Sequence, residues 1–496
     1  MLLSLEQIAA FTGADVLGDT SRLSCEACGI TWDSRKVEPG FVYVALPGER
    51  VNGHDFVPAA FAAGACAALV MEDPSQEAVS HACDQGKVLL KVDSTHQAFT
   101  YLARGWRTCL SARVIGLTGS TGKTTTKNLV RDVLSSAFRT VATKANQNNE
   151  LGVPRTVLNA DLDTEMVVVE MGMRGLGQIA ELCEFVKPEW GLITNVGESH
   201  IELLGSRENI ARAKGELIAA LPASGVAFLN GADDMTEFIC DQVRCDETSA
   251  ALVVYDGSGS ASSDSGLYAN DPNSADGAKR VWAKDVRLDD QGYPTFTLCC
   301  GGFAADGSVE ETSCALSLRG LHNVSNACAA AAIGRMAGMT IGSIATALAS
   351  SQPESGRQEV LHASSGVMVV NDAYNANPDS MRVSLALFSA LSVEGRRFAI
   401  LGDMGELGDH APDCHRSVGA YAAKARLDRL ICVGELARFI AQAAQDAGYP
   451  EAQIVCVDTG AEALAYAKEQ LASGDAVLVK ASHFMELDQV AKGLLN

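Results

Sequence analysis

The sequence contains no long apolar run. None of its apolar stretches reaches the ~18 residues that a membrane-spanning helix needs. The N-terminal segment "MLLSLEQIAAFTG" has a short apolar patch but lacks the cationic region that precedes such a patch in a secretion signal. We therefore expect no membrane insertion and a cytoplasmic location.

Basic residues are also scarce. The 496 residues include 39 Lys and Arg against 61 Asp and Glu, which gives a formal net charge of −22. Nonspecific nucleic-acid binding draws on clustered basic residues, so nucleic acid is not an expected partner. An anionic substrate must be held by local donors, because the overall field of the protein repels it.

Paired cysteines are almost absent. Apart from Cys299-Cys300 and the "CEAC" segment at Cys25 and Cys28, the 15 cysteines are scattered singly. A lone C-x-x-C without a second ligand pair is a weak metal signal, and buried or unreacted thiols are expected in a reducing compartment. The composition, 47% apolar and 20% charged, is typical of a globular chain.

The most informative segment is "GLTGSTGKTTTKN", residues 116–128. A Walker A loop, G-x-x-x-x-G-K-[ST], has a glycine five positions before its Gly-Lys pair, whereas Leu117 occupies that position here. The apolar run "ARVIGLT" predicts a buried strand before the loop, and "TTTKNLVRDVLSSAF" predicts a helix after it. Strand, glycine turn and helix direct backbone N–H groups and a helix N-terminus at an anion. We therefore expect Lys123 to reach the β- and γ-phosphates of a nucleotide and Thr124 to ligate magnesium.

Three blocks follow one another along the chain, at residues 1–110, 111–350 and 351–496. In each block apolar strand-like runs alternate with helical stretches, which predicts an α/β fold with parallel sheets. The second block contains a segment rich in Ser, Asp and Gly, residues 256–277, which is interpreted as an exposed insertion or flexible loop.

Three candidate catalytic residues lie in the second block. Glu170 ends the strand-like run "MVVVE" and His200 follows "WGLITNVGES", so both fall at carboxyl ends of strands, where ligands bind in open α/β sheets. Lys214 lies in "ENIARAKGELIAAL", a predicted helix. Each residue alone has an ordinary explanation, as a solvated acid, a loop residue or a surface lysine. Their combination with a phosphate loop favours catalysis.

Seven segments together carry a resemblance to the Mur ligase family: "TGSTGKTTTKN", "NQNNELGVP", "VVVEMG", "TNVGESHIELLGSRENIARAKGEL", "GLHNVSNACAAAA", "NDAYNANPDSM" and "LGDMGELG". The segment "TWDSRKVEPGFVYVALPGERVNGHDF" extends the resemblance to the N-terminus, and the shortened phosphate loop is the family's own form. The resemblance implies three domains: a smaller N-terminal α/β domain that binds a UDP-sugar (1–110), a central ATP-binding domain with a P-loop-type mononucleotide-binding parallel sheet (111–350), and a C-terminal Rossmann-like domain that binds the incoming amine (351–496).

Within the family, "DAYNANPDSM" and "LGDMGELG" resemble the member that joins D-alanyl-D-alanine to UDP-N-acetylmuramoyl-tripeptide. The tetrapeptide D-N-P-R, expected in the ligase that adds a diamino acid, is absent from the sequence. The resemblance implies that a substrate carboxylate attacks the γ-phosphate of ATP and that the resulting acyl phosphate is attacked by the dipeptide amine. It further implies a monomer acting in peptidoglycan synthesis.

The same resemblance assigns roles to individual residues. Thr124 and Glu170 would hold one Mg²⁺, and His200 with a carbamylated Lys214 (N6-carboxylysine) would hold a second, with Lys123 completing the catalytic set. ATP would be bound by Gly119, Ser120, Thr121, Gly122, Lys123, Thr124, Thr125, Asn323, Asn326, Arg357 and Asp372. The other substrates would be bound by Ser34, Arg35, His54, Asn149, Asn375 and Asn377.

The C-terminal segment "KASHFMEL" departs from the family's Lys-Gly-Ser-Arg, with Ala481 and His483 in place of Gly and Arg. This substitution removes an arginine that would otherwise be available to the dipeptide. For Arg35, a surface salt bridge is an alternative to a diphosphate contact.

Two other functions fit part of the sequence. A folate polyglutamate ligase shares the phosphate loop and the central core but should lack the N-terminal "DSRKVEPGFVYVALPGERVNGHDF" block. A nucleotide-binding regulator without chemistry is the second alternative, and the joint presence of Lys123, Glu170, His200 and Lys214 argues against it.

Overall fold

A computed structural model describes residues 1–48, 51–241, 250–260 and 279–495. Residues 261–277 of the predicted insertion lie outside these ranges. Within the described residues, no helix is long and apolar enough to cross a membrane. The chain divides into two compact units: unit 1 is Met1–Leu117, Phe138–Gly172 and Ile179–Trp190, and unit 2 is Thr118–Ala137, Met173–Gln178 and Gly191–Asn496.

The described α-helices are, in chain order, α1 Leu5–Thr12, α2 Val57–Ala62, α3 Gln76–Asp84, α4 Thr95–Cys109, α5 Lys123–Ser135, α6 Gly152–Leu158, α7 Gln178–Val186, α8 Ile201–Leu204, α9 Arg207–Ala219, α10 Thr236–Ile239, α11 His322–Met336, α12 Ile341–Ser350, α13 Pro378–Ala390, α14 Ala411–Ala422, α15 Ala437–Asp446, α16 Gly460–Gln470 and α17 Asp488–Leu495.

The described strands are β1 Leu3–Ser4, β2 Asp15–Gly18, β3 Glu26–Ala27, β4 Gly29–Thr31, β5 Phe41–Val44, β6 Ala67–Val70, β7 Val88–Lys91, β8 Arg113–Thr118, β9 Thr140–Ala142, β10 Met166–Glu170, β11 Trp190–Ile193, β12 Val226–Asn230, β13 Ala251–Asp256, β14 Lys279–Leu288, β15 Pro294–Gly301, β16 Glu310–Ala315, β17 Glu359–His362, β18 Met368–Asn371, β19 Arg397–Gly402, β20 Arg429–Val433, β21 Ile454–Val457 and β22 Ala476–Lys480.

Unit 1 begins with a five-stranded sheet in the order β2-β7-β6-β5-β4. The pairings β4–β5, β5–β6 and β6–β7 are parallel, and β2 is an antiparallel edge strand. Buried apolar side chains, among them Tyr43, Phe61 and Leu89, pack together at this sheet. Farther along the chain, β10 pairs in parallel with both β8 and β9, so that Met166 lies opposite Arg113 on one side and Thr140 on the other.

Unit 2 contains a six-stranded sheet in the order β17-β18-β22-β19-β20-β21. Only β17 is antiparallel to its neighbour; the other pairings are parallel. The strands are apolar on both faces because each face packs against helices. Phe388 and Leu401 belong to one buried cluster, and Ile400 and Val479 belong to the other.

The remaining strands of unit 2 follow the order β16-β15-β14-β13-β12-β11. The pairings β12–β13 and β13–β14 are parallel, whereas β14, β15 and β16 form an antiparallel meander. The alternation of strands and helices thus predicted the parallel sheets, and the α/β class is confirmed. The antiparallel strands β15 and β16 were not predicted.

Local signals in the sequence fix several helix boundaries. Ser4 and Gln7 form a reciprocal capping box at the start of α1, and the helix ends at Gly13, whose φ of 67° is left-handed. Asn377 and Ser380 form the same kind of box at α13, with Pro378 in the first turn. The segment "NANPDS" therefore places Asn377 at a helix start, with its side chain fixed.

Candidate active site

The phosphate loop lies in unit 2, between the end of β8 and α5, as predicted. At two positions only glycine fits. A Cβ on Gly119 would lie 1.8 Å from Thr194 Oγ1, and Gly122, which precedes α5, has a φ of 74° and would place a Cβ 2.9 Å from Asn326 Oδ1. Among the described residues, no side chain caps the N-terminus of α5. The N-terminus of α5 is the positive end of the helix dipole and is therefore suited to bind an anion.

Asn195 holds the loop in place. Its backbone oxygen accepts from Ser120 N (2.9 Å), and its side-chain oxygen accepts from Thr121 N (2.9 Å). The Asn195 Nδ2 also donates to Thr121 Oγ1 at 2.8 Å. The N–H groups of Ser120 and Thr121 therefore bond within the protein. Asn195 lies in the segment "TNVGESH", where nothing in the local sequence indicates this role.

Lys123 folds back over the loop. Its Nζ donates to Gly119 O at 2.6 Å and approaches Ser120 O at 3.3 Å. The ammonium charge thus lies above the glycine turn, next to the helix start that would receive the phosphates. The downstream Lys127 is buried, with 1% of its surface exposed.

Thr124 contacts a residue from the third predicted block. Its side chain is buried, and its Oγ1 accepts a hydrogen bond of 2.9 Å from Arg357 Nη2. The Arg357 guanidinium also lies over the Tyr374 ring, 4.1 Å from the centroid, and Tyr374 in turn lies beside the His483 ring at 5.9 Å. The loop and the C-terminal segment that contains His483 are therefore connected through Arg357 and Tyr374.

Asn323 and Asn326 form a hydrogen-bonded chain beneath α5. Asn326 Oδ1 accepts from Thr126 Oγ1 (3.0 Å), Asn326 Nδ2 donates to Asn323 Oδ1 (2.9 Å), and Asn323 Nδ2 donates to Arg319 O (2.7 Å). Both asparagines are buried. Their amides connect α11 to the helix that follows the loop, and their expected contact with ATP stays a prediction.

Asp372 belongs to a buried ion pair. Its Oδ2 lies 2.7 Å from Lys480 Nζ and also accepts from Ser384 Oγ, while its Oδ1 accepts from Gln358 N at 3.1 Å. Lys480 reaches Asn375 O as well, at 3.0 Å. The Asp372 carboxylate is held rigidly beside Gln358, the neighbour of Arg357. Asp372 was predicted to be a functional residue, whereas its partner Lys480 was not.

His200 lies in a turn held by side chains from the third predicted block. Its backbone is left-handed, with a φ of 65°, and its Nδ1 lies 2.8 Å from Glu406 Oε2. The close contact with His200 lowers the pKa of the Glu406 carboxyl, and Arg174, at 3.2 Å from the other oxygen, lowers it further. Asn377 Nδ2 donates to Ser199 Oγ at 2.7 Å. Both Asn377 and Glu406 thus reach the turn that ends in His200.

Lys214 is deeply buried in α9, with 1% of its surface exposed. Burial lowers the pKa of its ammonium group well below the usual value, and the positive charge of Lys123 lowers it further. The neutral form of its amine is therefore far more populated at neutral pH than that of an ordinary surface lysine. The alternative of a solvated surface lysine is wrong.

Glu170 and Asn149 belong to unit 1. Glu170 ends β10 with 1% of its surface exposed, and its Oε1 accepts from Asn148 Nδ2 at 2.8 Å. Asn149 Oδ1 accepts from Gly152 N at 3.0 Å and so caps the turn before α6. Glu170 is therefore a buried carboxylate rather than a solvated one.

The N-terminal candidates are held within unit 1. Arg35 makes a bidentate pair with Asp33 (2.8 and 3.0 Å), which lowers the pKa of Asp33 to about 2. Ser34 begins the short 3-10 turn Ser34–Lys36. His54 Nδ1 lies 2.8 Å from Asn52 Oδ1, and its Nε2 accepts from Met71 N at 2.9 Å. The salt-bridge alternative for Arg35 is therefore realised, although the guanidinium is exposed and can meet an anion.

A mostly apolar cavity of about 240 Å³ lies beside His54 in unit 1. Its lining includes Phe61, Pro74, Ala78 and His81. His54 forms part of its wall.

The described residues contain no group of three or more His, Cys, Asp or Glu side chains that could hold a metal. The predicted ligand sets do not need such a group, since each has only one residue of these types beside a hydroxyl or a carbamate. Thr124 and Glu170 offer hard oxygen donors, which Mg²⁺ prefers.

Comparison with known proteins gives three consecutive matches to family models: "Mur ligase family, catalytic domain" at residues 26–107, "Mur ligase middle domain" at 117–334 and "Mur ligase, glutamate ligase domain" at 356–483. A UDP-N-acetylmuramoyl-tripeptide--D-alanyl-D-alanine ligase of Bacillus subtilis is 34% identical over 94% of this chain and 93% of its own length.

Two solved structures are similar over almost their whole length. MurF from Acinetobacter baumannii is 28% identical with a TM-score of 0.80, covering 100% of this chain and 99% of that one. MurF from Thermotoga maritima in complex with ADP is 25% identical with a TM-score of 0.73, covering 94% and 96%. This chain belongs to the Mur ligase family.

Proposed function

We propose that this chain is an ATP-dependent amide ligase that joins D-alanyl-D-alanine to UDP-N-acetylmuramoyl-tripeptide and releases ADP and phosphate. The observation that carries the proposal is the phosphate loop with Arg357 bonded to Thr124, since it brings the third predicted block to the nucleotide. The family membership and the names of the relatives support the same substrates. The product would be the pentapeptide precursor of peptidoglycan, formed in the last cytoplasmic step of its synthesis and required for cell-wall growth, shape and division.

The reaction proceeds in two displacements. The terminal carboxylate of the tripeptide attacks the γ-phosphorus of ATP, the bond between that phosphorus and the β,γ-bridging oxygen breaks, and ADP leaves. The amine of D-alanyl-D-alanine then attacks the acyl carbon, phosphate leaves, and the amine loses a proton. Neither step needs an enzyme nucleophile, so catalysis rests on positioning and on neutralising the charge of the transferring phosphoryl group.

The residues of the loop supply that positioning. The N–H groups at the start of α5 and the Lys123 ammonium would hold the β- and γ-phosphates, and Arg357 would bring a second cation next to Thr124. Asn323, Asn326 and Asp372 would complete the ATP site, together with the loop residues Gly119 to Thr125. The Asn195 amide would hold the loop backbone at Thr121 in one conformation while the γ-phosphoryl group is transferred.

Magnesium is part of the proposal, with one ion held by Thr124 and Glu170 and a second by His200 and a carbamylated Lys214. The ions would reduce the repulsion between the substrate carboxylate and the triphosphate. Carbamylation joins the neutral lysine amine to carbon dioxide with loss of a proton, and the burial of Lys214 favours this neutral amine. A carbamate at this depth would need a cation nearby, because an isolated buried carboxylate is costly.

We assign the three predicted domains, 1–110, 111–350 and 351–496, to the UDP-sugar, to ATP and to the dipeptide. Ser34, Arg35 and His54 would meet the nucleotide sugar in the first, aided by the exposed Arg35 fork. Asn149, Asn375 and Asn377 would meet the peptide. A monomer suffices for this scheme.

The deciding experiment measures ADP release with UDP-N-acetylmuramoyl-tripeptide, with and without D-alanyl-D-alanine. A ligase of this kind releases ADP continuously only when both are present. A folate polyglutamate ligase would respond to folate and glutamate instead, and a regulator would respond to neither pair. Continuous ADP release with folate and glutamate instead, or no ADP release with either pair of substrates, would contradict the proposal.

A further inference from the structure

Two cysteines lie opposite each other at the edge of the six-stranded sheet. β20 and β21 are parallel neighbours, and Cys432 of β20 is in register with Cys456 of β21, the edge strand. Side chains of residues in register on adjacent strands point to the same face of a sheet. The two thiols are therefore side by side, although 24 positions separate them in the sequence.

The two thiols have different surroundings. Cys432 is completely buried and packs with Leu430 and Ile440 in one of the two clusters that cover the sheet, whereas Cys456 is exposed. A hydrogen bond from the Cys432 thiol lowers the pKa of Cys456 to about 7, and the positive charge of Arg438 on α15 adds to this effect. The same contact and burial raise the pKa of Cys432. One thiol is thus accessible as a thiolate near neutral pH, and the other is protected.

We propose that Cys456 is a peroxide-reactive thiol and that Cys432 is the partner with which it forms a reversible disulfide. Parallel strands are about 4.8 Å apart, which lies within the Cα separations of 4.4–6.8 Å that a disulfide spans. This proposal is independent of the ligase reaction.

The chemistry balances with a peroxide as oxidant. The Cys456 thiolate attacks one peroxide oxygen, the O–O bond breaks, and the sulfur becomes a sulfenic acid while the other oxygen leaves as water or alcohol. The Cys432 sulfur then attacks the sulfenic sulfur, the S–S bond forms, and water leaves. A dithiol reductant reverses the step by thiol–disulfide exchange.

Peptide mapping of the full-length protein tests the proposal. The reduced protein is treated with hydrogen peroxide, blocked with N-ethylmaleimide, digested without reduction and analysed by mass spectrometry. We expect a linked pair of peptides carrying Cys432 and Cys456, two hydrogen atoms lighter than their sum, which disappears after dithiothreitol. The exposed thiols Cys83 and Cys109 lie on helices and serve as internal controls. If Cys456 is still blocked by maleimide as fully as these controls after peroxide, the proposal is wrong.

Two variants separate the roles of the thiols. In Cys432→Ser, dimedone should trap a sulfenic acid at Cys456, because no partner consumes it. In Cys456→Ser, Cys432 should stay reduced because it is buried. A sulfenic acid that persists at Cys456 in the unmodified protein, without a linked peptide pair, would overturn the role of Cys432. The rate of iodoacetamide reaction at Cys456 should be half-maximal near pH 7, and a midpoint at the ordinary thiol value of about 8.5 would overturn the role of Cys456. These measurements on the unmodified protein stand even if a variant folds poorly.

Discussion

Arg357 donates a hydrogen bond of 2.9 Å to Thr124, a residue 233 positions earlier in the chain. The same guanidinium lies 4.1 Å from the centre of the Tyr374 ring. The arginine is therefore fixed by one polar and one aromatic contact next to the hydroxyl that we assign to magnesium. This arrangement connects the nucleotide loop with the part of the chain that we assign to the incoming dipeptide.

Replacing Arg357 by lysine should impair ligation. A lysine cannot make both contacts at once, because it lacks the planar guanidinium group that donates to Thr124 while stacking on the Tyr374 ring. A hydrogen bond that involves a charged group contributes about 1.5–3 kcal/mol, so steady-state ADP release should fall roughly ten- to a hundredfold. Arg416 is a matched control, since it is half-exposed and likewise has one polar and one aromatic contact, pairing with its helix neighbour Asp413 and lying 4.7 Å from the centre of the Phe439 ring. Equal effects of Arg357→Lys and Arg416→Lys would contradict the assignment.

Replacing Lys123 by alanine should abolish ligation. The Lys123 ammonium is the cation that lies over the glycine turn, and the buried Lys127 cannot swing to replace it. ADP release in the presence of both co-substrates is the measurement. Lys492→Ala is the control, because Lys492 is exposed on α17 and pairs with Asp488. Activity of Lys123→Ala within a few-fold of the unmodified enzyme would exclude the loop as the phosphate site.

Lys214→Ala should lose most of its activity and retain ATP binding, which depends on Lys123 and Thr124. Without a carbamate, the substrate carboxylate and the triphosphate repel each other in a cleft where charge effects are large. Lys214→Arg should be no better, because guanidinium stays cationic and cannot take up carbon dioxide. Short carboxylic acids should partly restore the alanine variant.

The carbamate itself can be observed. Isotopically labelled bicarbonate should give a carbamate carbon signal in the nuclear magnetic resonance spectrum of the unmodified protein and none in Lys214→Arg. A thermal melt checks that each variant folds, since an alanine at this buried position leaves a cavity. An arginine variant with near-normal activity would mean that the lysine is an ordinary cation.

Asn195→Ala should weaken ATP use, and Asn195→Asp should weaken it further. Alanine loses the bond from Thr121 N to Asn195 Oδ1 and the bonds from Asn195 Nδ2 to the hydroxyl and carbonyl oxygens of Thr121. Loss of a neutral hydrogen bond costs about 1 kcal/mol, so the KM for ATP should rise about fivefold or more in the alanine variant. An aspartate keeps the oxygen that accepts from Thr121 N, but its negative charge lies beside the loop that we assign to the phosphates and repels the triphosphate. The backbone bond to Ser120 is unaffected in both. Equal KM values in all three proteins would show that this side chain does not shape the loop.

The thermal stability should depend on His322 between pH 4 and pH 6.5. Burial lowers the pKa of His322 to about 4, with the Asp372 charge opposing the shift. In the unfolded state the same histidine binds its proton near pH 6.5. Above that pH it is neutral in both states and does not affect the free energy of unfolding. As the pH drops towards 4, only the unfolded state takes up the proton, so the folded state becomes less stable. The Tm of the unmodified protein should therefore fall more from pH 7 to pH 5 than that of His322→Gln. His362→Gln is the control, because His362 is exposed. Parallel Tm curves for His322→Gln and the unmodified protein would refute this.

Much of the local structure could be predicted from the sequence. The apolar runs predicted β8, β10, β11, β19, β20 and β22, because a buried parallel strand requires a continuous apolar segment. Gly122, Lys123 and Thr124 are adjacent, so a strand, a turn and a helix are enough to place them together. Glu170, His200 and Lys214 were candidates from their positions in the sequence, and the resemblance to the Mur ligase family gave them their roles. The structure then established that Glu170 and Lys214 are buried.

The partners of these residues needed the tertiary structure. Nothing in the sequence near Asp372 indicates that Lys480 is its ion-pair partner, and nothing near Cys432 indicates that Cys456 lies beside it. The sequence around Asn195 is typical of a turn and does not indicate that its side chain holds the phosphate loop. The antiparallel strands β15 and β16 were missed as well, because a local pattern does not state which neighbour a strand will choose. The sequence by itself determined the elements and the residues of the phosphate loop, since these depend on contacts within about one turn or strand. Side chains from distant segments meet at Thr124, His200 and Asp372. Only the tertiary structure decided which ones, because their meeting depends on the order of the strands, and that order depends on packing across the whole sheet.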